Sequence, residues 1–125
     1  MSSDKPFLSS SKIIEDYKLL LKYMEKCRLA GAECEKLLPT SQILAKIKAL
    51  IESRVATFED VLGFVEKEFY NEINCEICVD AFKEVYGISV DCDKARRALI
   101  VQITGWFIEI LDTLGYVKIK YSWKP

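Results

Sequence analysis

Residues 89–120, SVDCDKARRALIVQITGWFIEILDTLGYVKIK, constrain the fold more than any other part of the chain. Asp91 or Asp93 can cap a first helical turn by accepting backbone N–H bonds that lack an intrahelical partner. Leu99, Ile103, Trp106, Ile110 and Leu114 then recur at four- and three-residue steps, which stacks them on one face of a helix. Ile100, Val101, Phe107, Ile108 and Leu111 widen that stripe nearly all the way round, and a helix so apolar has to be covered on several sides. Gly115 stands where a left-handed C-terminal cap is expected. Beyond it, alternation predicts a strand that turns Val117, Ile119 and Tyr121 inward and Lys118 and Lys120 outward.

The same helix bears on the membrane. Its apolar run, residues 98–111, is broken by Gln102, Thr104 and Glu109, and is too short and polar to span a bilayer. The start, MSSDKPFLSSS, lacks the basic-then-apolar order of a signal peptide, so the expectation is a cytoplasmic protein with no membrane partner. Scarce Gln and Asn beside plentiful Lys and Glu suit a hyperthermophile.

Upstream, residues 1–9 read as a polar lead-in. Ser10 or Ser11 is expected to cap a long helix running to Pro39, with Ile13, Tyr17, Leu20, Met24, Cys27, Gly31, Cys34 and Leu38 along one seam. That seam packs either on the chain's own later helices or on a second copy. Its Tyr, Gly and Cys suit a symmetric coiled coil poorly, which favours packing within the chain. Gly31 marks either a close helix approach or a weakened turn. Thr40 or Ser41 restarts the chain for a second helix carrying Ile43, Leu44, Ile47, Leu50 and Ile51. Thr57 and Asp60 open a third with a capping-box pattern, and Phe58, Leu62, Val65 and Phe69 form its buried stripe. A fourth covers residues 75–86 and stops at Gly87. The boundary near residues 53–56 separates a helical extension, residues 10–54, from a second domain, residues 55–125.

Five cysteines and no histidine limit the metal chemistry. Cys75 and Cys78 form one CEIC pair, and a four-ligand site would need Cys27, Cys34 or Cys92 to join it. The pair is therefore a weak metal candidate; structural thiols or disulfides are preferred, and no cofactor is assigned. Cys27 and Cys34, two turns apart on a continuous helix, are too distant to bridge.

Residues 57–121 resemble a winged helix-turn-helix domain, archaeal members in particular. The likeness is carried by TFEDVLGFVEKEF, by the helix ending FKEVYG, by the turn ISVD, by CDKARRALIVQITGWFIEILDTLGY and by the basic strand VKIK. It implies a mainly α protein: a winged helix-turn-helix-like domain with a two-helix N-terminal extension and a short C-terminal β-strand. It also implies duplex DNA as a partner and a role in transcription regulation. Ser89, Lys94, Arg96 and Arg97 would then enter the major groove, and Lys118, Lys120 and Lys124 would meet phosphates.

The formal net charge of −1 supplies no global attraction to nucleic acid, and Asp91 and Asp93 oppose phosphate locally. Arg96 and Arg97 can equally pair with nearby carboxylates. A protein-interaction subunit or adaptor of a replication, transcription, repair or defence complex is the competing reading. Its interface, or that of a homodimer, would use Ile13, Tyr17, Leu20, Met24 and Trp123. Catalysis has the least support. The chain lacks a histidine base and a phosphate loop, and it shows no convincing nucleophile constellation.

Overall fold

A computed structural model describes the backbone of residues 7–10, 16–32, 37–53, 56–116 and 118–121, and the side chains of residues 16–32, 37–52 and 57–116. Five helices make up its body: α1 (Lys18–Leu29), α2 (Ser41–Ser53), α3 (Phe58–Phe69), α4 (Cys75–Tyr86) and α5 (Cys92–Thr113). A 3-10 turn, Tyr70–Glu72, joins α3 to α4. No helix among the described residues is long and apolar enough to cross a membrane.

Local chemistry sets the helix ends. Thr57 and Asp60 form a reciprocal capping box at α3, Asn74 accepts from the Ile77 N–H at α4, and Asp91 accepts from the Lys94 N–H at α5. At α2 the Thr40 hydroxyl accepts from the Ile43 N–H. Gly115 closes α5 with a positive φ, while its own N–H and that of Tyr116 return to Asp112 and Leu111. This paired return of N–H groups satisfies carbonyls that the last turn would otherwise orphan.

The core forms around α5. Ala95, Leu99, Ile100, Ile103, Phe107, Ile108 and Leu111 are all buried, and α1, α3 and α4 pack around them. Phe69 of α3 meets Phe107 edge to face, with ring centroids 5.6 Å apart. Leu19, Leu20, Tyr23 and Cys27 of α1 belong to the same cluster as Val61, Val65 and Ala81, so one apolar core spans both halves of the sequence.

Two expectations are corrected. The first is the long N-terminal helix: α1 begins at Lys18 and stops at Leu29. Gly31 takes φ 68°, and the N–H groups of Gly31 and Ala32 return to Arg28 and Cys27. The glycine therefore acts as a helix stop, well before Pro39, instead of allowing a close approach inside a helix. Ile13 and Cys34 lie outside the described residues, and the argument against a Cys27–Cys34 bridge loses its premise of a continuous helix.

The second is the winged helix-turn-helix fold with its C-terminal wing strand. The described body is helical, and no antiparallel hairpin follows α5 among the described residues. Three short backbone segments lie at its edge: β1 (Phe7–Ser10), β2 (Ala56–Thr57) and β3 (Lys118–Tyr121). They pair in the order β2-β1-β3, both pairings being parallel, with Leu8 opposite Ala56 and Ile119. A wing is an antiparallel ribbon closed by a tight turn, whereas parallel partners require a long crossover. Here that crossover is the whole helical body.

Candidate functional site

The residues expected to read DNA divide into three groups. Ser89 and the Lys94 side chain are exposed near the start of α5. Arg96 and Arg97, one residue apart on the same helix, are drawn into contacts within the chain. Arg96 donates from Nε (3.1 Å) and Nη2 (2.9 Å) to the Ile73 carbonyl, and its guanidinium lies 5.1 Å from the centre of the Tyr70 ring. Arg97 donates to Asp93 and to Glu66, each at 2.9 Å, which ties α5 to α3. The Tyr70 hydroxyl donates to the second oxygen of Asp93. Those hydrogen bonds, first from Tyr70 and then from Arg97, hold the Asp93 carboxyl below its ordinary pKa, while Asp93 raises that of Arg97. Of the strand lysines, Lys118 and Lys120 are described by backbone alone, and Lys124 lies outside the described residues.

The interface candidates are used internally. Leu20 is only 4% exposed, and Tyr17 and Met24 are partly buried against the same core. The α1 seam thus faces α4 and α5, and its inward set includes Leu19 and Tyr23, which the four-three spacing assigned elsewhere. Ile13 and Trp123 fall outside the described residues.

The CEIC cysteines do not converge on one site. Cys75 is bonded to Cys92, with Cα atoms 5.4 Å apart, so the first residues of α4 and α5 are stapled together. Cys27 is also disulfide-bonded. Cys78 is a free, fully buried thiol whose pKa burial pushes up to about 12, so it is neither nucleophilic nor a ready metal ligand at neutral pH. Among the described residues no three His, Cys, Asp or Glu side chains gather closely enough to hold a metal ion.

Two concave surfaces are lined by described residues. The more apolar one is a groove of about 430 Å³ between α2 and the end of α5, lined by Leu44, Ala45, Lys48, Leu111, Leu114 and Tyr116. Leu114 is 55% exposed and Tyr116 49%, and the Lys48 ammonium lies 5.5 Å from the Tyr116 ring centre. Leu114 was expected on the buried stripe of α5. It sits on the cap residue, past the last turn, where the stripe has outrun its covering elements among the described residues. Periodicity could not have separated it from Leu111, because that signal stops where the helix does.

The second is a cleft of about 370 Å³ beside the Tyr70–Glu72 turn, lined by Tyr23, Asn71, Asn74, Cys75 and Arg96 among others. The residues that build it are far apart in sequence, and no local motif announces them. No protein-family model, curated protein or solved structure matches the chain, so the winged-helix resemblance rests on its residue pattern alone.

Proposed function

We propose that the chain is a non-catalytic protein-interaction module that presents the α2–α5 groove to a partner protein. The observation carrying this reading is the pair of large apolar side chains, Leu114 and Tyr116, left substantially exposed beside a concave apolar surface. A single cation, Lys48, sits at its edge, an arrangement suited to an apolar segment flanked by an acidic residue. The duplex-DNA reading draws less support. Arg96 and Arg97 are committed to a carbonyl and two carboxylates, and the net charge offers no compensating field.

Photo-crosslinking from Ala45, an exposed position in the groove, tests the proposal. A discrete partner should be captured by the native chain and lost in Leu114→Asp, with the helical circular dichroism signal unchanged. Fluorescence anisotropy with a labelled random duplex is the counter-test. Salt-dependent binding abolished by joint Lys94→Glu and Arg97→Glu substitution would return the assignment to DNA.

A further inference from the structure

We infer that the cleft between Tyr23, the 70–74 turn and Arg96 is a binding site for a small monocarboxylate, independent of the α2–α5 groove. The guanidinium supplies the central argument. Its Nε–Nη2 edge is spent on the Ile73 carbonyl, and its face lies against Tyr70, so the group is fixed in position. The remaining Nη1–Nη2 edge is a fork of matched width for two carboxylate oxygens. No carboxylate pairs with Arg96 among the described residues, although Arg97 beside it has two. Arg96 therefore brings to the wall of the cleft a guanidinium with no carboxylate hydrogen-bonded to it among the described residues, with Asp93 acting on it only through space.

Other donors converge there. The Tyr23 hydroxyl accepts from the Asn74 N–H at 2.9 Å, and its own hydrogen has no acceptor among the described residues. Burial, as the largest influence, raises the Tyr23 pKa, so the phenol keeps that hydrogen at neutral pH. The Asn71 amide lines the same cleft and makes no hydrogen bond to the described residues. Glu72 contributes a carboxylate to the wall, which repels a dianion more strongly than a monoanion. Ala32 and Cys75 line the cleft beside these polar groups and supply surface for a short hydrocarbon body. A volume of about 370 Å³ is at the small end of ligand pockets. Cys27 and Cys75 in its wall are both disulfide-bonded, so the site offers binding and no thiol chemistry.

The test is an NMR titration of the intact oxidised chain with butyrate, reading the Arg96 Nε–H and the amides of Asn71 and Asn74. Butyramide, phosphate and chloride at matched ionic strength are run in parallel. Butyrate should produce saturable shifts that butyramide and chloride do not. Arg96→Lys should weaken binding roughly tenfold through loss of the fork. Because Arg96 also holds the Ile73 carbonyl, Asn71→Asp provides a second variant on an exposed residue, and it should weaken butyrate by a similar factor. Absence of saturation, equal shifts from butyramide or chloride, tighter binding of phosphate, or an unchanged affinity in Asn71→Asp overturns the assignment.

Discussion

Gln102 lies in the middle of α5 with only 5% of its surface exposed, among residues that are almost all apolar. Its Oε1 accepts from the Leu20 N–H at 2.8 Å, and its Nε2 donates to the Tyr86 hydroxyl at 3.0 Å. Tyr86 in turn donates to Asp16, whose other oxygen accepts from the Lys18 N–H. Tyr17 offers α1 no side-chain cap, so two first-turn N–H groups are satisfied by Asp16 and by a glutamine from another helix. In the sequence, Gln102 reads only as an interruption of an apolar run. Its partner lies 82 residues away, beyond any local pattern. Gln102→Leu should therefore cost about 2 kcal/mol, since it strands the buried Leu20 N–H. Tyr86→Phe, which leaves that bond in place, should cost about 1 kcal/mol or less. Urea denaturation of both variants checks the order; a Gln102→Leu loss no larger than that of Tyr86→Phe would remove the glutamine from its capping role.

At the scale of the element, helix ends were legible where a short polar residue or a glycine sits in local register. Thr57, Asp91, Gly87 and Gly115 act as their sequence context predicts, while the Asn74 cap of α4 emerges only from the structure. The start of α1 was not legible, because serine caps and serine strands look alike and Ser10 lies in β1. Gly31 was ambiguous for a related reason: the seam pattern ran through it, and only its backbone bonds reveal the stop. The glycines give opposed predictions. Gly31 and Gly87 hold positive φ angles with open space around a would-be Cβ, so an alanine there meets backbone strain alone and should cost about 1 kcal/mol. Gly63 is helical and exposed, also with open space, so Gly63→Ala should stabilise by roughly 0.5–1 kcal/mol. Thermal melts of the three variants must differ in sign; a destabilising Gly63→Ala would contradict the helical assignment of that position.

For the whole molecule, the decisive fact is that one core joins helices from both ends of the sequence, with α5 at its centre. The apolar stripe of α5 foretold that central role, but it could not say which elements would cover it. The cysteine pairing was equally hidden. CEIC drew Cys75 and Cys78 together by spacing, whereas the fold turns Cys78 into the core and brings Cys75 to Cys92. That bond joins positions separated by 17 in sequence and closes a loop around α4 and the turn before α5. Closing a loop of this size removes chain entropy from the unfolded state and contributes about 3 kcal/mol. The α4 helix makes its main contacts with α1 and α5, so the staple holds the α4–α5 turn while α1 packs across both. The Cys75→Ala/Cys92→Ala variant should accordingly be less stable by about 3 kcal/mol and unfold at a lower urea midpoint, with a steeper dependence on urea because its unfolded chain expands further. It should also retain the native helical content, since Asn74 and Asp91 still cap both helices. An unfolding free energy within about 0.5 kcal/mol of the oxidised parent would mean that packing of α1 against α4 and α5 already holds the turn, leaving the disulfide no constraint to add.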